Sequence, residues 1–174
     1  LKIELNKLDK TPQFKKLTWA ISCILFFGAL RVHEILSREA LSYDPNFTLL
    51  KENLKLKIVD VEGKDMQILQ ILLKSPKENR VGNKVVIDIY ENGSCCCPVK
   101  AFNNWMSTLP PTQRGKPAFV LQNGQAYTGS LLNKTLKKCF EKHVPKELGF
   151  VSSHSFRSGV ASMMGNLGWS DEDI

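Results

Sequence analysis

A histidine and an arginine near the end of this chain have the spacing of a pair that can hold one phosphate. His154 and Arg157 are three residues apart, so on a helix both side chains project from the same face. An arginine presents a planar fork of N–H donors that fits phosphate oxygens bidentately. A second arginine, Arg31, lies far upstream. If the fold brings Arg31 to this pair, the three side chains suit phosphoryl transfer on a nucleic acid backbone.

Each of these signals also has an ordinary structural interpretation. Arg31 lies between apolar stretches, which predicts that it is partly buried and needs a partner. Glu34, three residues on, shares its predicted helical face and either neutralises Arg31 or supports a site in which Arg31 points at a phosphate. His154 and Arg157 are equally compatible with a surface histidine and an arginine paired with a carboxylate. A helix for which Ser153 is the predicted N-cap favours the phosphate, because backbone N–H groups and the positive dipole end lie in its first turn.

A polar, basic loop is predicted between two strands, over residues 75–84. Most such hairpin tips are solvated turns. A lysine here can also reach into a DNA groove or toward a leaving oxygen. The basic residues in and beside this loop are Lys74, Lys77, Arg80 and Lys84.

Composition bounds the class of protein. The chain has 174 residues, is 43% hydrophobic and carries a net charge of +7 with a pI near 9.2. This is enough for one domain with a core, argues against disorder, and favours a polyanionic partner such as nucleic acid over a membrane. The longest apolar run, residues 20–30, is too short to span a bilayer. The odd number of cysteines, three of them consecutive at 95–97, predicts reduced thiols in an intracellular protein, and no spacing typical of a metal site accompanies them.

Local signals predict an α+β fold: mainly α, with a small three-stranded antiparallel sheet, in one domain over residues 1–174. Thr11 and Pro12 are typical of a helix start, and a short helix is predicted from about Leu30. Alternation over residues 54–58 predicts a strand with one buried face. The remaining predicted strands cover 66–73 and 84–90, and the remaining predicted helices cover 99–106, 131–143 and 153–167.

Taken in order, these pieces resemble the catalytic domain of the tyrosine recombinases, the phage-integrase-type enzymes. The similarity is closest to recombinases of eukaryotic mobile elements, the Crypton and DIRS-like groups, and it extends from about residue 11 to residue 174. The segments that carry it are residues 28–36, 73–82, 97–101 and 153–161.

The resemblance implies DNA strand breakage and rejoining by transesterification, with no metal and no nucleotide cofactor. Arg31 and Arg157 would clamp the scissile phosphate of double-stranded DNA, and His154 would assist proton transfer or hold the phosphate. Lys77, or alternatively Lys74, would protonate the leaving 5′ oxygen, and Glu34 would support the site. Lys74, Arg80 and Lys84 would contact DNA.

The family's nucleophilic tyrosine has no match here, since Tyr43, Tyr90 and Tyr127 all precede His154. We therefore expect the nucleophile beyond Ile174, no N-terminal DNA-clamping domain in this piece, and no cleavage by the piece alone. The family implies tetramers on DNA, whereas this piece is expected to be monomeric and its parent to be nuclear. Two alternatives stay open: a non-catalytic DNA-binding module derived from such an enzyme, and a protein-interaction domain.

Overall fold

The computed structural model describes residues 1–73, 84–109, 115–145 and 151–170. Within them, the fold consists of six helices and a three-stranded sheet. The helices are α1 (Lys2–Lys7), α2 (Pro12–Phe27), α3 (Val32–Ile35), α4 (Pro98–Met106), α5 (Gly129–Phe140) and α6 (His154–Asn166). The strands are β1 (Leu54–Val61), β2 (Lys64–Leu73) and β3 (Val85–Tyr90), preceded by a short 3-10 helix, Lys51–Asn53. The predicted α+β fold is confirmed. None of the described helices combines the length and the apolar character that crossing a bilayer requires.

Helix α2 is the centre of the core and begins where the sequence predicts. The Thr11 hydroxyl oxygen accepts a hydrogen bond from the Phe14 backbone N–H at 3.2 Å, and Pro12 occupies the first helical position, where a missing N–H costs nothing. Leu17, Ile21 and Ile24 are fully buried against the sheet and the other helices. Because α2 contacts α1, α4 and α6, it sets the positions of several elements at once.

The sheet is antiparallel, as predicted, and its strand order is β1-β2-β3. Leu69 of β2 pairs with Leu56 of β1 and with Ile89 of β3, so these three side chains share one face. Leu69 and Ile89 are buried in the core. Glu62 and Gly63 turn the β1–β2 hairpin with φ of 54° and 78°, a backbone suited to a two-residue turn.

One prediction about the sheet is wrong. The alternating residues of β1 do not bury an apolar face: Leu56 is 40% and Ile58 is 66% exposed. Ile58 pairs with Gln67, toward the hairpin tip, whereas the buried residues of β2 lie further along the strand. The apolar alternation of β1 therefore continues into a part of the hairpin that the core does not bury.

Three helices also differ from the predictions. Helix α1 was not predicted, and it forms around Leu5, which is fully buried and anchors it to the core. Helix α3 is a single turn. Helix α5 starts earlier than residue 131, because the Thr128 hydroxyl caps it by accepting from the Leu131 N–H at 3.2 Å. The amphipathic pattern of α5 is as predicted, with Leu132 and Leu136 buried and Lys134, Lys137 and Lys138 exposed.

Candidate functional site

The segment that carries Arg31 leaves α2 through a tight C-terminal turn. Ala29 takes a left-handed conformation (φ 48°), its N–H bonds to the Phe26 carbonyl, and the Leu30 N–H bonds to the Leu25 carbonyl at 3.1 Å. These two bonds form a Schellman motif, in which a left-handed residue satisfies the last carbonyls of a helix. Leu30 is buried, so the chain is fixed on both sides of the turn just before Arg31.

Arg31 is the N-terminal cap of α3 and not an interior residue of a helix. Its backbone is extended (φ −78°, ψ 143°), and its N–H donates to Oε2 of Glu34 at 2.6 Å. The guanidinium Nη1 of Arg31 lies 3.6 Å from Oε1 of the same carboxylate, with the two side chains 30% and 10% exposed. Arg31 is thus partly buried as predicted. The Glu34 carboxylate lies closer to the backbone N–H of Arg31 than to the guanidinium of Arg31. Glu34 therefore mainly fixes the backbone position of Arg31.

The His154–Arg157 pair begins α6, as predicted. His154 is the first helical residue and exposed, and Arg157, one turn later, is half-buried. Nη1 of Arg157 donates a hydrogen bond to the backbone carbonyl oxygen of Ala29 at 3.3 Å, across 128 residues of sequence. The structure therefore brings Arg157 to the segment that carries Arg31, and His154 shares the helical face of Arg157.

The start of α6 is held differently from the prediction that Ser153 caps it. The Ser153 side chain makes no capping bond, because its backbone is already helical (φ −60°, ψ −24°) and a capping residue needs an extended one. The buried Ser153 N–H instead donates to Oδ1 of Asn133 on α5 at 2.7 Å. The Ser152 N–H donates to the Ser155 hydroxyl at 3.2 Å. Two partners, one of them from another helix, therefore fix the first turn that carries His154.

Close packing of α6 on α2 explains why Arg157 reaches Ala29. A Cβ added to Gly159 would lie 3.7 Å from the Phe26 ring, so the two helices touch in the last turn of α2. Val160 is buried and Phe156 packs against the core. On the other side of the turn, a Cβ on Gly28 would lie 3.0 Å from Cδ1 of Ile89, so β3 packs against the same segment.

The predicted basic loop falls partly outside the described residues. Lys74, Lys77 and Arg80 are among residues 74–83, so their predicted roles stay predictions. Lys84 is described and exposed, immediately before β3. Leu73 pairs with Val85 across β2 and β3, so the loop joins neighbouring antiparallel strands, and β3 is the strand that contacts Gly28.

The tyrosines of the described residues differ in their availability. Tyr127 is fully buried, its hydroxyl shares a 2.8 Å hydrogen bond with the Thr18 hydroxyl, and burial raises its pKa to about 12. The Tyr43 hydroxyl donates to the Gly115 carbonyl, and Tyr90 is exposed at the end of β3. Buried and bonded to Thr18, Tyr127 is unsuited to act as a nucleophile. In the same described residues, no group of three or more His, Cys, Asp or Glu is arranged to hold a metal ion.

Sequence reasoning missed two residues that position the site. Ala29 supplies the carbonyl that Arg157 binds, and Asn133 supplies the acceptor that holds Ser153. Neither carries a sequence signal for this role, because alanine has no functional group and Asn133 lies inside an amphipathic helix. Both contacts join residues that are distant in sequence.

The fold is similar to those of solved tyrosine recombinases. The XerH site-specific recombinase, in a pre-cleavage complex with its difH substrate, matches with a TM-score of 0.60 and 14% identity, over 95% of this chain and 40% of XerH. Flpe, in a Holliday-junction complex, matches with a TM-score of 0.62 and 14% identity, over 99% of this chain and 44% of Flpe. The chain therefore spans less than half the length of either enzyme. No protein-family model matches it. Comparison with curated protein sequences gives no match either.

Proposed function

We propose that this chain binds double-stranded DNA at a backbone phosphate and is part of an enzyme that breaks and rejoins DNA strands by site-specific recombination. The observation that carries the proposal is the bond between Arg157 and the Ala29 carbonyl, which brings the N-terminal turn of α6 to the Arg31 segment. The recombinase-like fold and the charge of +7 support it.

In the proposed chemistry, Arg31 and Arg157 bind the non-bridging oxygens of one phosphate and stabilise the charge that develops on them in the transition state. His154, on the same face of α6 as Arg157, holds the phosphate or moves a proton. Glu34 supports Arg31 by fixing its backbone. The positive end of α6 adds to the field at the phosphate.

The proposed reaction is a transesterification. A tyrosine oxygen attacks phosphorus, the bond from phosphorus to the 5′ oxygen breaks, and a 3′-phosphotyrosine forms. The leaving 5′ oxygen takes a proton, for which Lys77 or Lys74 is the proposed donor. Rejoining reverses each step, so neither a metal nor a nucleotide cofactor is consumed. Tyr43, Tyr90 and Tyr127 all precede His154, unlike the nucleophile of the family, so we assign the attacking hydroxyl to a residue outside these 174. The Crypton and DIRS-like subgroup, a nuclear location, and assembly into tetramers on DNA belong to this same proposal.

Salt-dependent DNA binding tests the phosphate site. The logarithm of the binding constant falls with the logarithm of salt concentration by about 0.9 per phosphate contact, through counterion release. We expect Arg157→Gln and Arg31→Gln each to weaken binding to a duplex of arbitrary sequence and to lower this slope by about 0.9. The matched control is Lys16→Gln, which removes the same charge from an exposed position near the other end of α2. Equal effects of all three variants would show general charge attraction and no phosphate site.

The alternative is a non-catalytic DNA-binding module, favoured by the charge of +7 together with the lack of a tyrosine after His154 in these 174 residues. Both functions predict salt-dependent binding, so a covalent product separates them. If the full-length protein is an enzyme, incubation with nicked DNA should give a protein–DNA adduct at the 3′ end that survives denaturation and is lost in Arg157→Ala. Binding without any adduct favours the module, and no retention of DNA at low salt leaves a protein-interaction domain.

A further inference from the structure

Four cysteines gather where β3 leads into α4, and none of them belongs to the proposed phosphate site. Cys95, Cys96 and Cys97 end the connection before Pro98, and Cys23 on α2 belongs to the same buried core cluster as Cys97. They differ in access: Cys95 is exposed, Cys96 is half-buried, and Cys97 and Cys23 are buried. The exposed end of the cluster is therefore a pair of neighbouring thiols.

The backbone of this connection holds the two thiols on the same side. Adjacent residues of an extended chain point to opposite faces. Here the Ser94 hydroxyl accepts from the Cys96 N–H at 3.1 Å, and the Ser94 carbonyl accepts from the Cys97 N–H at 3.2 Å. Ser94 is fixed in turn by Asn92, whose Oδ1 accepts from both its N–H and its hydroxyl. As a result, Sγ of Cys95 and Sγ of Cys96 are in contact at 3.7 Å.

We propose that Cys95 and Cys96 form a vicinal dithiol that peroxide oxidises to a reversible disulfide. The Cys95 thiolate attacks hydrogen peroxide and becomes a sulfenic acid, with release of hydroxide. The Cys96 sulfur then attacks the Cys95 sulfur, the S–O bond breaks, and water leaves. Two thiols and one peroxide thus give one disulfide and two waters, a two-electron oxidation of the protein.

The order of the two steps follows from access. Cys95 is the exposed member of the pair, so peroxide reaches it first. Burial and the hydrogen bond with Cys95 raise the pKa of Cys96, so Cys96 is the less ionised thiol toward peroxide in solution. Its Sγ lies 3.7 Å from that of Cys95, which places it to resolve a sulfenic acid formed there. Burial raises the pKa of Cys23 to about 12, so this thiol stays inert behind the pair.

A disulfide between the adjacent residues Cys95 and Cys96 closes a strained ring, and this strain makes the disulfide easy to reduce. Most disulfides join Cα atoms about 4.4–6.8 Å apart, whereas adjacent Cα atoms are about 3.8 Å apart. Strained, exposed disulfides have more oxidising potentials and belong to the labile class. We therefore expect reduced glutathione to reopen this one, which distinguishes it from a structural cross-link.

Peroxide treatment of the 174-residue chain in the presence of dimedone, which traps sulfenic acids, tests the proposal. Trypsin releases residues 85–100 as one peptide that holds all three consecutive cysteines. In the unsubstituted chain we expect this peptide to have two fewer free thiols, a mass lower by two hydrogens, and little dimedone. Reduced glutathione should restore both the free thiols and the original mass.

Two variants assign the roles. Cys96→Ser should accumulate the dimedone adduct on Cys95 and form no disulfide, and Cys95→Ser should leave the peptide unmodified. Cys139→Ser, at a buried thiol on α5, is the control and should behave like the unsubstituted chain. A disulfide that persists in Cys96→Ser, equal dimedone labelling with and without Cys96, cross-linking between chains, or no reaction in the unsubstituted chain would each overturn the proposal.

Discussion

The guanidinium of Arg157 donates a hydrogen bond to the carbonyl oxygen of Ala29, 3.3 Å away and 128 residues earlier in the chain. This carbonyl belongs to a residue in a left-handed conformation, at the turn that ends α2 two residues before Arg31. The position of Arg157 relative to Arg31 therefore depends on the backbone of one turn and on the packing of α6 against α2.

Ala29→Gly should stabilise the protein without changing DNA binding. An L-residue pays roughly 1–2 kcal/mol in the left-handed region, and glycine does not, although glycine gains entropy in the unfolded state. We expect the free energy of unfolding, measured in urea, to rise by up to about 1 kcal/mol. Ala161→Gly, inside α6, is the matched control and should lower it by about 1 kcal/mol. A loss of the same size in both variants would contradict the strain at Ala29.

Gly28→Ala should destabilise the protein and weaken DNA binding although no charge changes. The added Cβ would lie 2.9 Å from the Ile24 carbonyl oxygen and 3.0 Å from Cδ1 of both Ile89 and Leu30. Overpacking of this kind costs about 1–3 kcal/mol, and relief requires a shift of the turn that carries Arg31. Gly165→Ala, with nothing within 4 Å of the added Cβ, should instead stabilise α6. Urea unfolding and a DNA titration of both variants test this, and an unchanged DNA affinity for Gly28→Ala would argue against the coupling.

Asn133→Leu should loosen the first turn of α6. It removes the acceptor of the buried Ser153 N–H, and an unsatisfied buried donor costs about 1–3 kcal/mol. We expect faster hydrogen exchange at the Ser153 amide and weaker DNA binding. Asn133→Asp keeps an acceptor oxygen and should preserve the slow exchange. If Asn133→Leu exchanges as slowly as the unsubstituted chain, Asn133 does not position His154 and Arg157.

Tyr127 should make stability fall at high pH. Its pKa is raised to about 12 in the folded state by burial, against an ordinary value of 10.0, so the unfolded chain loses this proton first. Its contribution is fully present below about pH 10 and is lost as pH rises from about 10 to 12, with a slope of at most about 1.4 kcal/mol per pH unit. Tyr127→Phe should remove this part of the slope in urea unfolding between pH 9 and 12. A slope unchanged in Tyr127→Phe would mean that the phenol is not buried.

Ile58→Thr should cost almost nothing, because Ile58 is 66% exposed near the tip of the β1–β2 hairpin. Surface substitutions of this kind change the free energy of unfolding by about 0.5 kcal/mol or less. Leu69→Ala, on the same face of the sheet but fully buried, should cost about 2–5 kcal/mol. Similar losses in the two variants would place Ile58 in the core after all.

The sequence predictions are accurate where local contacts decide the structure, and they fail where packing between distant residues decides it. Thr11 and Pro12 start α2 through contacts within one turn, so the sequence alone predicts this boundary. Leu56 and Ile58 have the alternation of a buried face, but their exposure depends on how far the helices reach over the sheet. Helix α1 was missed because a helix of six residues is marginal alone and forms by burying Leu5 against the core.

By itself, the sequence determined the residue types and their local order: a basic chain, amphipathic helices, three strands, and a histidine and an arginine on one face of a helix. Only the tertiary structure decided that this helix meets the turn before Arg31, that Asn133 holds its first residue, and that Tyr127 is buried. The physical reason is that periodicity and capping act within a few residues. The approach of Arg157 to the turn before Arg31 instead depends on side chains packed between α2, α6 and β3, whose fit no local pattern records.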